Sequence, residues 1–169
     1  MQTIGVAIAL PEPWATDLQQ YRVDLGDETA YSIPTHITLI PPTEVGDDLG
    51  DVVAHLEQVA ASQRPFRIHL RGTGTFRPVS PVVFVAVADG IAGCEELAAG
   101  VRTGPLQVEL EFPFHPHVTV AHHLDDASLD RAYDELASFD CAFEATEFHL
   151  YLHDDGNGWV PTKAFQLVG

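Results

Sequence analysis

Two periodicities take turns along the chain and mark out its elements. Gly5-Val6-Ala7-Ile8-Ala9-Leu10 is a short apolar run ended by Pro11-Glu12-Pro13, which predicts a buried strand. Trp14, Leu18 and Tyr21/Arg22 then recur at helical spacing, so a helix is expected over 14–25. A strand over 34–40 contains His36-Ile37-Thr38-Leu39-Ile40 and is expected to stop at Pro41-Pro42, because proline cannot donate to a ladder. Val52, Val53, Leu56, Val59 and Ala60 predict a helix over 51–62 with an acidic start. Alternation over 66–75 and the apolar run over 82–88 give two strands, joined by a turn around Arg77-Pro78-Val79-Ser80-Pro81. Gly72 and Gly74 in the first of these two strands mark a bulge.

The pattern then starts again. Leu97, Ala98 and Val101 place a helix over 91–102, His117-Val118-Thr119-Val120 a strand, and Leu129, Ala132, Tyr133 and Leu136 a helix over 128–139. One long strand is expected over 141–152, a turn at Gly156-Asn157-Gly158, and a closing strand over 159–168. Landmarks correspond at a near-constant offset: His117 stands 81 positions after His36, and the helix at Ser128 begins 77 after the one at Asp51. The unit is β-α-β-α-β, used twice, approximately over 4–76 and 82–152. The expected class is α+β: one bilobal domain over 1–169 with intertwined lobes, its antiparallel-rich sheets facing across a central cleft and its helices outside.

The only short motif that occurs twice in this layout is His-x-Thr followed by an aliphatic residue. Side chains alternate along a strand, so His36 and Thr38 share one face while Ile37 and Leu39 take the other. The same holds for His117 and Thr119 against Val118 and Val120. Each strand therefore buries two aliphatic residues and presents an imidazole and a hydroxyl together. Imidazole exchanges protons near neutral pH, its unperturbed pKa being about 6.5. Two such rings on opposite sides of a phosphate can divide the work. A neutral one takes a proton from the nucleophile, and a charged one supplies a proton to the leaving oxygen. The threonine hydroxyls can donate to the phosphate oxygens between them. This chemistry needs no metal or other cofactor.

Composition narrows the partners. The chain has 169 residues, 46% of them hydrophobic and 20% charged, which allows a core and excludes a disordered chain. Twenty-five acidic residues against eight basic ones give a net charge of −17. Such a surface repels a polyanion, and broad nucleic-acid binding depends on cations that displace counterions. A small phosphorylated nucleotide or one RNA terminus still fits a cleft that is locally neutral or positive. No apolar run approaches the ~20 residues of a membrane helix. The first ten residues lack a basic flank and soon meet Pro11, so no signal peptide is expected. Cys94 and Cys141 are expected to be reduced, in keeping with a cytoplasmic location. The internal repeat also removes one reason to dimerise, and a monomer is expected.

Thr35-His36-Ile37-Thr38-Leu39-Ile40-Pro41-Pro42, taken with His117-Val118-Thr119-Val120, resembles the two-histidine phosphoesterase superfamily, in particular its 2′-5′ RNA ligase-like and cyclic phosphodiesterase branch. The resemblance spans essentially the whole chain. It implies a bilobal fold with the two motifs facing each other across the cleft. It also implies metal-independent action on a 2′,3′-cyclic phosphate or a 2′-5′ phosphodiester of a nucleotide or RNA end. His36 and His117 are then the acid–base pair, with either ring open to either role, and Thr38 and Thr119 bind the phosphate. Many relatives follow the second motif with a small residue and an arginine, whereas this chain has Ala121 and His122. That difference weighs against a long RNA substrate.

Further candidates surround the motifs. His122 is a possible substrate contact. Arg71, ahead of Gly72, is the preferred phosphate-side cation among the seven arginines. Tyr151, Phe114 and Trp159 are rings able to stack on a base. His115, His117, His122 and His123 raise the alternative of a zinc hydrolase. On a regular strand His115, His117 and His123 would share a face and His122 the other, and one strand rarely closes a tetrahedron at ~2.0–2.1 Å. No metal site is therefore assigned. A second alternative is a module that keeps the cleft and binds a nucleotide or phosphate without turning it over.

Overall fold

In the computed structural model, which describes residues 1–168, the chain runs as follows. The first half comprises β1 (Gln2–Ala9), α1 (Trp14–Leu25), β2 (His36–Val45), α2 (Gly50–Ala61) and β3 (Phe66–Thr75). The second comprises β4 (Val82–Asp89), α3 (Ile91–Val101), β5 (His117–His122) and α4 (Asp126–Glu135), then β6 (Asp140–Ala145), β7 (Glu147–Asp154) and β8 (Gly158–Gln166). Short 3-10 turns at Glu28–Ser32 and Gly104–Leu106 precede the two motif strands. The class is α+β, with two curled antiparallel sheets and four helices. No helix among the described residues is long and apolar enough to cross a membrane.

The sheets do not follow the halves of the chain. One has the order β2-β1-β7-β8 and the other β5-β4-β3-β6, so β3 crosses to the second sheet while β7 and β8 return to the first. The stretch expected as one strand over 141–152 is consequently two, broken at Thr146, each in a different sheet. The apolar positions shift phase there, from Cys141, Phe143 and Ala145 to Phe148, Leu150 and Leu152, across the polar pair Thr146-Glu147. The helices cross over as well. α1 packs against β5 and α3 against β2, while α4 lies on β3, β4 and β5. The motif strands β2 and β5 are edge strands that come together where the sheets meet.

Edge position also explains why Pro41-Pro42 does not end β2, which continues to Val45. An edge strand excuses the one proline whose missing donor faces away, and both prolines lie between Ile40 and Thr43, where the β1–β2 register shifts and the ladder is interrupted. At α4 the expected span of 128–139 shifts to Asp126–Glu135. Asp125 caps the helix by accepting a bond from the Ser128 amide at 2.8 Å, which draws the start forward. The bulge expected near Gly72 is present: the β3–β4 register shifts between Leu70 and Thr73, and Gly72 has φ +74°.

The aliphatic partners of the motifs hold the motifs in place. Ile37, Leu39, Val118 and Val120 are at most 1% exposed and join the continuous core with Leu56, Leu97, Val101 and Leu129. Each such side chain contributes ~1.5–3 kcal/mol on burial. A one-residue slip would bury a histidine and a threonine in their place, so the register is strongly specified. Cys94 and Cys141 are free and buried, and burial pushes their thiols up to about 12 and about 11.

Candidate active site

The approach to each motif histidine is built from local bonds. Ahead of β2, the buried Thr35 hydroxyl donates to the Ala15 carbonyl at 2.6 Å, tying the start of the strand to α1. Gln19 of α1 donates to the carbonyls of Ala30 and Ile33, which fixes the loop that follows the first 3-10 turn. His36 then enters β2 with its Nδ1 at 2.6 Å from the Pro34 carbonyl, two residues back. His117 enters β5 with its Nδ1 at 2.6 Å from the His115 carbonyl, again two residues back. A carbonyl only accepts, so Nδ1 is the donor in both rings. The tautomer is thereby set, and Nε2 is left as the basic nitrogen in each. His36 and Thr38 are half-buried, as are His117 and Thr119.

The His117 ring senses the His36 ring. His117 lies below its ordinary 6.5 mainly through burial. The His115 carbonyl opposes that shift, and the nearby His115 and His36 add to it. His36 is also held below 6.5, first by burial and then by the Arg22 charge, against the opposing Pro34 carbonyl. Both imidazoles are therefore disposed to be neutral in the free protein.

A cavity of about 200 Å³ opens beside His36 and Thr38, bounded by Gly5, Ala7, Tyr151 and Trp159. By the ~30 Å³ share of one liquid water, it holds roughly seven of them. Gly5 lies close under Trp159, and a Cβ there would make a tight 3.3 Å contact with the indole ring. Tyr151 is buried, and burial with the Glu147 charge pushes its hydroxyl up to about 12, so the ring stays neutral. On the other flank His117 meets Phe76 and Phe84, with ring centroids at 4.9 and 5.4 Å.

The remaining expected residues divide. His122 belongs with the motif face, not the opposite one. The β4–β5 register shifts between Val83 and Phe84, so Val82, which pairs with His122, and Phe84, which pairs with Thr119, lie on one face. The extra residue of that bulge reverses the alternation. The β5 strand ends there, and His123, at φ +55°, turns away with its ring 3.8 Å from that of His122. Among the described residues no three His, Cys, Asp or Glu side chains converge as a metal-binding set. Arg71 is exposed on β3 opposite Asp140 and does not line the cavity. Neither does Phe114, whose ring lies under the Arg102 guanidinium at 5.7 Å.

The geometry has a counterpart among known proteins. The sequence model of the 2′-5′ RNA ligase superfamily matches residues 10–157. The chain belongs to that superfamily. A Bacillus licheniformis protein named "Putative phosphoesterase" is 30% identical over 138 residues, covering 80% of this chain and 81% of the relative. A namesake from Bacillus cytotoxicus is 31% identical, with 80% of each chain covered. Among solved structures, Escherichia coli LigT complexed with 3′-AMP superposes with a TM-score of 0.65 at 23% identity, over 99% of each chain. TT0787 of Thermus thermophilus does so with a TM-score of 0.62 at 25% identity, over 99% of this chain and 98% of its own.

One charged residue near the site of this superfamily member stands in line with Trp14 and Leu18 and is not among the expected site residues. Arg22, on α1, is 4% exposed and pairs with Asp27, 5% exposed, at 2.8 Å. Its Nε is buried without a partner. Burial pushes the Asp27 carboxyl up, but bonds from Thr29 and Arg22 and the Arg22 charge outweigh it, and the net shift is downward. The Arg22 charge reaches His36 on β2 and His122 on β5. Its place in line with Leu18 puts it on the buried face of α1.

Proposed function

We propose that this chain is a metal-independent phosphoesterase. Its substrate is a 2′,3′-cyclic phosphate or a 2′-5′ phosphodiester of a nucleotide or RNA end, and His36 and His117 are its acid–base pair. The observation that carries the reading is the matched pair of Nδ1-to-carbonyl bonds, which turns the same nitrogen of each ring free on strands that meet. The name of the Bacillus relatives supports phosphoester chemistry. Structures of LigT complexed with 3′-AMP, NADP+ and ATP support a nucleotide ligand.

Hydrolysis runs as a balanced exchange. The neutral imidazole takes a proton from water through Nε2 as the water oxygen bonds to phosphorus. The charged imidazole gives its Nε2 proton to the ribose oxygen as the bond from that oxygen to phosphorus breaks. Thr38 and Thr119 donate to the non-bridging oxygens, where negative charge builds up. The cavity lined by Tyr151 and Trp159 takes the nucleoside.

The test is turnover of 2′,3′-cyclic nucleotides in excess EDTA, followed across pH. The base must be neutral and the acid charged. Because both rings lie below 6.5 in the free protein, the window in which one is charged and the other is not also lies below 6.5. A bell-shaped kcat/KM with its maximum below pH 6.5 is expected. Activity that chelator abolishes, or a bell centred above pH 7, contradicts the reading. Binding of nucleotide with no turnover would instead identify the non-catalytic module.

A further inference from the structure

The two halves place their motifs in the same register, so their neighbours can be compared position by position. Thr38 pairs with Ala7 and His36 with Ala9 on β1. Thr119 pairs with Phe84 and His117 with Ala86 on β4. Ala9 and Ala86 are equivalent and alike, whereas Ala7 and Phe84 are equivalent and very different in size. On the first sheet Ala7 and Gly5 leave the cavity beside His36 open. On the second sheet the Phe84 ring fills the corresponding space and is 6% exposed.

The plug is held from both sides. Phe76 packs on Phe84 with centroids 4.6 Å apart, and both rings abut His117 and His115. Gly74, opposite Phe84 on β3, is the residue that makes room, since a Cβ there would come within 2.6 Å of the ring. An aromatic residue on one strand and a glycine on its neighbour thus block one flank. An alanine and a glycine on the equivalent strand of the other sheet leave the other flank open.

We infer that the site admits a single nucleoside, on the His36 flank, and that its substrate is a phosphate closed on that one nucleoside, a 2′,3′-cyclic phosphate, rather than a 2′-5′ diester with a nucleoside on either side. This inference rests on the phosphoesterase reading and selects between its two substrate classes. Water, which needs no pocket, approaches from the Phe84 flank. Its oxygen bonds to phosphorus, one ribose oxygen leaves with the proton supplied by an imidazole, and the product is a nucleoside phosphomonoester.

The experiment compares kcat/KM for 2′,3′-cyclic AMP with that for 2′-5′-linked diadenosine monophosphate. The wild-type protein is expected to favour the cyclic substrate at least 100-fold. Phe84→Ala is expected to narrow that ratio at least tenfold by gaining on the dinucleotide. Ala7→Phe is expected to lose at least 100-fold on the cyclic substrate and to bind 3′-AMP at least tenfold more weakly, while still binding inorganic phosphate. A wild-type protein that cleaves the dinucleotide within tenfold of the cyclic substrate overturns the inference and leaves the phosphoesterase reading standing. Turnover of neither substrate strikes that reading instead. In that case 3′-AMP binding to Ala7→Phe at wild-type strength overturns the one-flank assignment, and selective loss supports it.

Discussion

Replacing either motif histidine is expected to nearly abolish turnover of a 2′,3′-cyclic nucleotide. A single positioned proton transfer is worth ~10²–10⁴-fold, and the proposed reaction uses one at each end of the breaking and forming bonds. His36→Ala and His117→Ala should each lower kcat by roughly that factor. The double variant should be little slower than the worse single one, because both rings serve one transition state and their losses do not add. Phosphate binding should survive in part, since Thr38 and Thr119 remain. Steady-state rates with an inorganic phosphate competition assay separate the two effects. Retention of more than a tenth of wild-type kcat in either single variant would remove that histidine from the chemistry.

The second large effect is on stability. Arg22 and Asp27 form an ion pair at 4% and 5% exposure, and Arg22→Met leaves the Asp27 carboxylate buried and unpaired. Breaking one side of such a pair costs ~3–5 kcal/mol. At ~2–4 °C per kcal/mol for a chain of this size, Tm should fall by roughly 6–20 °C. Removing both charges in Arg22→Met/Asp27→Leu should recover most of the loss, because an apolar pair of similar volume avoids the desolvation penalty. The double variant also tests the electrostatic side. Without the nearby guanidinium, His36 should titrate at higher pH than in the wild type, since that charge adds to its lowering, whereas at His122 the simultaneous loss of the Asp27 charge opposes the effect. Thermal melts and histidine titrations read the two parts. A Tm within 2 °C of wild type for Arg22→Met would show that the pair is not buried as described.

Much of this was legible in the chain because the signals were local. The spans of α1 and β3 follow from helical spacing after Pro13 and from strand alternation, and they fall where expected. The motif strands were legible from alternation alone, since Ile37, Leu39, Val118 and Val120 fill the core that their positions demand. What escaped depends on contacts between distant segments. The break at Thr146 is a change of sheet, and its local trace is only the polar pair Thr146-Glu147, across which the apolar positions shift by one. The face of His122 depends on a bulge against β4, and strict alternation gives the wrong answer there. Arg22 shares the helical spacing of Trp14 and Leu18, but its pairing with the buried Asp27 and its reach to the motif strands are set by tertiary packing. Arg71 and Phe114, chosen for their chemistry, lie outside the cavity.

The most direct measurement is a ¹⁵N-edited spectrum of the histidine rings during titration with inorganic phosphate. Both His36 and His117 should show a proton on Nδ1 at neutral pH, and their Nε2 signals should move together along one saturation curve. Exposed rings such as His153 should stay still. If only one of the pair responds, or if Nδ1 proves unprotonated in either ring, then the two imidazoles do not hold a common anion and the proposed chemistry does not stand.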